Sequence, residues 1–206
     1  MRHSTPMPSE KAPDLKVDVL GGEPLDLAHT RPKKLSLLLF YRGVHCPICR
    51  RELEELNLKQ QEFTKAGIKV HAVSMDSRER AERQKRDWAI GDLAIGYGLD
   101  EASARDWGLF ISGKAKDTEP ERFAEPGIAI IDPEGHIYAL FLQSVPFARP
   151  TLDGLLQGLK FVLENNYPTR GKLTASPDKS SPTDLPAAGA PAPGNLEVSR
   201  VTRTKN

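Results

Sequence analysis

The two cysteines of this chain, Cys46 and Cys49, are three positions apart and lie between an apolar run and an amphipathic segment. The apolar run, residues 34–41, is nearly continuous, which is typical of a parallel strand buried on both faces. The amphipathic segment, residues 47–66, opens with a proline and is followed by Gly67, as expected for the first and the terminating positions of a helix. A strand, a tight turn with a C-x-x-C motif and a helix together predict a redox-active pair in an α/β fold.

The two thiols occupy different positions in this pattern. Cys46 is expected at the N-cap of the helix, where the positive end of the helix dipole favours a thiolate and lowers the pKa below the usual ~8.5. Cys49 lies one turn further, on the apolar stripe that must face the sheet, and is expected to be the more buried thiol. Their spacing allows the sulfurs to reach disulfide geometry, so the pair is predicted to cycle between dithiol and disulfide.

Other uses of a cysteine pair are a structural disulfide and a metal site. A disulfide that closes so short a loop constrains the unfolded chain little. A zinc site needs about four ligands, and His45 and His71 do not complete a common zinc spacing. A Cu(I) site would need the two thiolates and a histidine. These alternatives are weaker than the redox interpretation, and no cofactor or metal is expected.

The composition points to one ordinary domain with extensions. The chain has 206 residues, 38% of them hydrophobic, and a formal net charge of +1, which implies neither nucleic acid nor a membrane surface as a partner. Residues 1–14 lack a basic start followed by an apolar stretch, so the expected location is the cytoplasm. We expect a flexible segment at 1–14, a domain at 15–165, and a disordered Pro/Ala/Ser-rich tail at 166–206.

The remaining patterns predict a mixed sheet flanked by helices, a thioredoxin-like α/β arrangement with an N-terminal β-hairpin extension. The predicted elements, in chain order after the hairpin of 15–20 with 24–27, are a strand at 68–75, a charged helix from Ser77 to about Trp88, a short helix at 102–107, a polar inserted loop at 112–121, a hairpin of 127–131 with 136–143, and a helix at about 151–165.

Three stretches carry a resemblance to the thioredoxin superfamily, and within it to peroxiredoxin-like proteins with the alkyl hydroperoxide reductase/thiol-specific antioxidant domain. They are residues 41–53 (YRGVHCPICRREL), 125–135 (EPGIAIIDPEG) and 143–150 (QSVPFARP). The chain is most similar to the branch that includes the selenoprotein U relatives, in which a C-x-x-C replaces the usual cysteine arrangement. The resemblance covers residues 15–165.

The resemblance implies a cis peptide bond before Pro126, beside the cysteines, and it also exposes departures from the peroxiredoxin pattern. If Cys49 occupies the peroxidatic position, Cys46 replaces the family's threonine and Arg42 its proline. The family's distant arginine is replaced by Pro126. An arginine that stabilises a thiolate and a leaving oxygen would then be supplied by Arg42 or Arg149, whereas Arg122 is expected to be a loop charge.

The predicted function is that of a thiol-dependent oxidoreductase that reduces peroxides or disulfides and is restored by an external thiol reductant of the thioredoxin or glutathione type. His45 is a candidate for lowering the Cys46 pKa or relaying a proton. Burial favours Cys46 as the first nucleophile, and the family register favours Cys49. The alternatives are a redox sensor without turnover, and a thioredoxin-type disulfide reductase without peroxidase activity.

Overall fold

The computed structural model describes residues 5–29 and 32–173. The elements in this part of the chain, in order, are β1 (Lys16–Val19), β2 (Leu25–Asp26), β3 (Leu35–Phe40), α1 (Pro47–Lys65), β4 (Ile68–Val73), α2 (Arg78–Asp87), β5 (Ile95–Tyr97), α3 (Glu101–Asp106), β6 (Ile111–Gly113), β7 (Arg122–Ala124), β8 (Gly127–Ile131), β9 (Ile137–Leu142) and α4 (Leu152–Asn165).

Seven of these strands form one mixed sheet in the order β2-β1-β5-β4-β3-β8-β9. The three central strands β5, β4 and β3 are parallel, and the pairs on either side of them are antiparallel. All six residues of β3 are buried, as the apolar run predicted, because helices and loops cover the sheet on both faces. The carboxyl ends of β3 and β4 lie side by side, and both the cysteine turn and the residues after β4 start there.

Helix α1 follows the cysteine turn as the sequence predicted. Cys46 is its N-cap, a proline occupies its first turn, and the chain leaves it at Gly67, whose φ of 84° suits a glycine. Its buried stripe, Cys49, Leu53, Leu56 and Phe63, packs with α4 on one face of the sheet. A second apolar cluster, with α3 and residues 12–27, covers the opposite face.

Two features of the strands differ from the predictions. The first is β5, a three-residue strand that was not predicted because its central residue, Gly96, is a weak strand former. In the structure this glycine allows β1 to approach closely. A Cβ atom added to Gly96 would lie 3.0 Å from Val17 Cγ2. The second is the segment predicted as a polar inserted loop at 112–121. It belongs to an antiparallel hairpin of β6 and β7, and hydrophobic Phe123 is its buried anchor.

Residues on both sides of the predicted domain of 15–165 also have a described structure. Part of the expected flexible N terminus lies on the sheet, where the Ser9 amide donates to the Ile137 carbonyl at 2.8 Å and the Ala12 amide to the Gly135 carbonyl at 2.9 Å. The first compact unit ends at Lys172. The rest of the predicted tail, from residue 174 onward, lies outside the described residues. Within 5–29 and 32–173, no helix has the length and apolar character of a membrane span.

Candidate functional site

The two thiols lie at the amino end of α1, and both are free and buried. The exposed fractions are 1% for Cys46 and 0% for Cys49. The backbone amide of Cys49 donates to Cys46 Sγ at 3.2 Å, so the Cys46 sulfur acts as the capping acceptor of the helix. The N-cap position of Cys46 is the predicted one, whereas the two thiols do not show the expected difference in exposure.

The different positions of the thiols give them different pKa values. Hydrogen bonds from the side chain and the backbone amide of Cys49, with the nearby charges of Arg149 and Arg42, outweigh burial and lower the pKa of Cys46 to about 6. Burial, followed by the hydrogen bond and charge of Cys46, raises the pKa of Cys49. Near neutral pH the pair therefore holds one thiolate, centred on Cys46, and one thiol.

Arg149 brings a guanidinium against both sulfurs. Its Nη2 lies 3.2 Å from Cys49 Sγ and 3.9 Å from Cys46 Sγ. Its Nη1 pairs with a Glu52 carboxylate oxygen, and its Nε donates to the Pro146 carbonyl at 2.8 Å. This side chain is 7% exposed, so the charge acts on the sulfurs with little screening by water.

The loop that carries Arg149 has a strained backbone. Ala148 has a φ of 58°, in the left-handed region that residues other than glycine, asparagine and aspartate rarely adopt. The Ala148 carbonyl accepts from Gln143 Nε2 at 3.0 Å, which ties the loop to the end of β9. Strained residues that the surrounding structure holds in place are typical of functional sites.

Arg42, the other candidate arginine, is bound elsewhere. Its Nη2 is 3.3 Å from Glu119 Oε1, its Nε is 3.4 Å from Glu125 Oε2, and its guanidinium carbon lies 4.6 Å from the centre of the Phe123 ring. Glu125 also accepts from the hydroxyl of Ser112 at 2.7 Å. The β6–β7 hairpin therefore holds Arg42, which acts on Cys46 only through its charge.

His45 lies between the cysteine turn and the hairpin. Its Nδ1 is 3.2 Å from Nη2 of Arg80, and its ring packs edge-on against Phe123 with 4.7 Å between the ring centres. Burial lowers the pKa of His45 to about 4, so the ring is neutral at pH 7. Since Arg80 can only donate, Nδ1 is the acceptor and Nε2 carries the proton. A cationic His45 that lowers the Cys46 pKa, one of the predicted roles, does not fit this neutral ring.

Pro126 and Arg122 differ in how well they match the predictions. The peptide bond before Pro126 is trans, so the expected cis proline is wrong. The Pro126 carbonyl accepts from the Gln143 amide at 3.1 Å, one step beyond the last β8–β9 pair, Gly127 with Leu142. Arg122 is the first residue of β7 rather than a loop residue, and it pairs with Glu101 at the surface.

Sequence reasoning missed a buried polar group beneath the cysteine turn. Asp76, which follows β4, accepts from the Val44 amide at 2.7 Å and pairs with Arg80 at 2.6 Å. Gln84 donates to the same carboxylate at 2.8 Å and accepts from the hydroxyl of Tyr41 at 2.7 Å. A signal for Asp76 was available, because an acidic residue directly after one parallel strand lies beside the end of the next.

A groove of about 460 Å³ leads to Arg149 from the surface. It lies between the first turns of α1 and the loop of 147–153, and it is lined by polar Arg51, Glu55 and Asp153 as well as apolar Ile48 and exposed Phe147. Arg149 and Glu52 line its inner side. In residues 5–29 and 32–173, no three His, Cys, Asp or Glu side chains are grouped as a metal site requires.

Comparisons with solved structures support the thioredoxin-like fold. The 2-Cys peroxiredoxin of Plasmodium vivax superposes with a TM-score of 0.65 at 18% identity, covering 78% of this chain and 83% of the other. AhpC of Enterococcus faecalis superposes with a TM-score of 0.64 at 19% identity, covering 79% and 97%. AhpC of Mycobacterium tuberculosis gives 0.65 at 14% identity, covering 80% and 96%.

Sequence comparisons add the family. Alkyl hydroperoxide reductase C of Amphibacillus xylanus is 27% identical over 135 residues, which are 64% of this chain and 69% of that protein. Residues 8–140, which include both cysteines, β3 and α1, match the AhpC/TSA family. The chain therefore belongs to the AhpC/TSA family, and it is a thiol-dependent, peroxidase-like oxidoreductase.

Proposed function

We propose that the protein reduces hydroperoxides with Cys46 as the attacking thiolate and Cys49 as the resolving thiol. The observation that carries this assignment is the hydrogen bond from the Cys49 amide to Cys46 Sγ at the start of α1. It stabilises a thiolate on Cys46, whereas burial keeps Cys49 protonated.

The first half of the cycle is an attack on the peroxide bond. The Cys46 thiolate forms a bond to the distal oxygen of ROOH, the O–O bond breaks, and the products are a Cys46 sulfenic acid and an alkoxide, RO⁻, which takes a proton to become ROH. Arg149, 3.9 Å from Cys46 Sγ and in contact with the groove, supports the step because its charge stabilises both the thiolate and the departing oxyanion.

The second half of the cycle restores the thiols. The Cys49 sulfur attacks the sulfenic sulfur, the S–O bond breaks, and the Cys49 proton leaves with the hydroxide as water, which gives a Cys46–Cys49 disulfide. An external reductant then supplies two electrons and two protons to this disulfide and restores both thiols. The reductant is either one dithiol of the thioredoxin type or two glutathione molecules. The one-turn spacing of the two residues on α1 supports formation of the disulfide with modest adjustment.

A second assignment exchanges the cysteine roles. Cys49 is the thiol nearer to Arg149, at 3.2 Å, and it occupies the peroxidatic position in the family register. In this version Cys49 is oxidised by the peroxide and Cys46 resolves. The lower pKa of Cys46 favours the first assignment, because a thiolate is the reactive form and Cys49 must lose its proton before it can attack.

Stopped-flow oxidation of the reduced protein by hydrogen peroxide and by cumene hydroperoxide tests the proposal in the wild type, Cys46→Ser and Cys49→Ser. Rapid oxidation should be lost in Cys46→Ser and retained for one turnover in Cys49→Ser, with a sulfenic acid at Cys46 detected by mass spectrometry. The reverse pattern would establish Cys49 as the attacking thiol. Slow oxidation in all three proteins, with disulfide exchange intact, would make the protein a disulfide reductase.

A further inference from the structure

A buried carboxylate supports the cysteine turn from the neighbouring strand. Asp76 has a side chain that is 1% exposed, and each of its oxygens is hydrogen bonded. Oδ2 accepts from the Val44 amide at 2.7 Å and from Gln84 Nε2 at 2.8 Å, and Oδ1 accepts from Arg80 Nε at 2.6 Å. One of these donors belongs to the cysteine turn itself, two residues before Cys46.

The contact between this carboxylate and the turn is close. A Cβ on Gly43 would lie 2.5 Å from Asp76 Oδ2, a separation that real Cβ atoms do not reach, and Gly43 has a φ of 121°. The turn closes with a hydrogen bond of 3.1 Å from the Cys46 amide to the Gly43 carbonyl. Asp76 therefore contacts the turn at two consecutive residues, Gly43 and Val44, and only His45 separates them from the N-cap, Cys46.

The carboxylate is itself fixed from behind. Gln84 on α2 links it to the Tyr41 hydroxyl, at the end of the strand that leads into the turn. Arg80 pairs with Asp76 and reaches His45 Nδ1 at 3.2 Å, one residue before Cys46. The network thus joins the start of the turn, the end of β4 and the first turns of α2.

The carboxylate of Asp76 is paired with a guanidinium, so its negative charge does not repel a thiolate on Cys46 as an unpaired carboxylate would. An unpaired carboxylate near Cys46 would disfavour the thiolate by repulsion, and Arg80 compensates that charge. A buried ion pair of this kind contributes little net stability compared with apolar side chains of the same size. Its distinctive contribution is a fixed geometry for the donors and acceptors it contacts.

We propose that Asp76 is a positioning residue for Cys46, holding the turn of residues 43–46 in the conformation that lets the Cys46 sulfur accept the Cys49 amide. The N-cap needs extended backbone at Cys46, which has φ −102° and ψ 106°. If Val44 is released, the turn relaxes and the capping hydrogen bond to sulfur is lost for part of the time. This inference rests on the proposed role of Cys46 as the attacking thiolate.

The experiment measures the pH profile of Cys46 alkylation by iodoacetamide between pH 4 and 9, in a Cys49→Ser background in which one thiol remains. The variants are Asp76→Ala, which removes every contact, and Asp76→Asn, which keeps an oxygen for the Val44 amide but not the charge. A positioning role predicts a higher Cys46 pKa in Asp76→Ala, with an alkylation rate about five-fold lower at pH 6, and an intermediate profile in Asp76→Asn.

Two other outcomes overturn the inference. If Asp76 acts on Cys46 only through its charge, both variants lower the Cys46 pKa, because removing a negative charge favours the thiolate. If it is only a structural residue, both folded variants keep the wild-type profile. Should circular dichroism show that Asp76→Ala is unfolded, Asp76→Ser, whose side chain is one bond shorter and does not reach the Val44 amide, takes its place: a raised Cys46 pKa supports the role, and an unchanged or lowered one contradicts it.

A matched control is Asp100→Ala, which removes another carboxylate that accepts from a backbone amide, here that of Ser103 at 2.8 Å at the start of α3. The Cys46 profile should be unchanged in this control. Alkylation requires no peroxide, so the role of Asp76 is decided even if the wild type proves inactive as a peroxidase. Conversely, if the wild type is a peroxidase and the Asp76 variants have unaltered alkylation profiles, the proposed function stands and only the role of Asp76 is contradicted.

Discussion

Arg149 makes more of the contacts at the candidate site than any other residue discussed above. It contacts both sulfurs, pairs with Glu52 and lines the groove that opens to solvent. Burial raises the pKa of Glu52, and the positive charge of Arg149 partly offsets this rise. Each of these two partly buried side chains therefore needs the opposite charge of the other to remain ionised. The fork of the guanidinium is what allows one side chain to reach a carboxylate and two sulfurs together.

Replacing Arg149 with lysine should slow the reaction without unfolding the protein. A lysine keeps the charge for Glu52 but lacks the planar fork, so we expect the rate of peroxide oxidation to fall about ten-fold. Stopped-flow measurements at pH 7 would check this. The control is Arg50→Lys on α1, whose side chain is 48% exposed and pairs with Glu54. Equal rates in Arg149→Lys and the wild type would show that a positive charge at this position is sufficient and that the planar fork is not required.

The strain at Ala148 gives a second test of the same loop. Ala148→Val should destabilise the protein by about 1–2 kcal/mol, because a β-branched side chain is costly at φ 58°, and it should also reduce the oxidation rate by displacing Arg149. Ala148→Gly should fold and react like the wild type. Urea unfolding and peroxide kinetics measure the two effects. In the control Ala102→Val, on an exposed face of α3, only a few tenths of a kcal/mol should be lost.

The β6–β7 hairpin acts as a cover for the turn that precedes Cys46. Phe123 is 1% exposed and contacts both the His45 ring and the Arg42 guanidinium, while Glu119 and Glu125 take up the charge of Arg42. The hairpin therefore excludes water from one side of the site and leaves Arg149 as the guanidinium in contact with the sulfurs.

The state of His45 reports on this cover. In Phe123→Leu, which keeps an apolar side chain but loses the ring contact, water should reach the imidazole and the pKa of His45 should rise from about 4 toward 6.5, since burial is the main cause of its depression. A titration of the His45 ring followed by NMR measures the change. Phe161→Leu, on the exposed face of α4, should leave it unaltered. A His45 pKa that stays near 4 in Phe123→Leu would show that the hairpin is not what excludes water.

Across the fold as a whole, stability should depend on pH through a buried histidine of the central sheet. His71 lies in β4, is 6% exposed, and has hydrogen-bond partners on neither ring nitrogen. Burial lowers its pKa to about 4, below the 6.5 of the unfolded chain. The unfolded chain binds more protons between these values, so the free energy of unfolding decreases as the pH falls from about 6.5 to about 4.

His71→Leu should remove that dependence. Between pH 7 and pH 5 the wild type should lose about 2 kcal/mol of unfolding free energy through this histidine, and the variant should lack that part of the loss. Urea unfolding at the two pH values measures the difference, and exposed His136 replaced by glutamine is the control. The same decrease in wild type and His71→Leu would assign it to other groups.

The residues that were predicted correctly are those whose surroundings are set by near neighbours in the chain. The N-cap at Cys46, the burial of Cys49, the limits of α1 and the β8–β9 hairpin follow from spacing, capping and turn preferences within a few residues. The strands β5, β6 and β7 were missed because each has three residues and depends on partners elsewhere in the fold rather than on its own pattern.

The sequence by itself determined a thiol pair at the start of a helix, with Cys46 poised to ionise, because a helix amide and a sulfur three residues away interact locally. Only the tertiary structure decided which other groups act on that pair. Arg149 is 103 residues from Cys46 and reaches it because the loop after β9 folds over α1, whereas Arg42, four residues away, is held by two carboxylates from the hairpin. Competition among ion pairs and the alignment of strand ends are properties of the folded chain, and sequence spacing does not contain them.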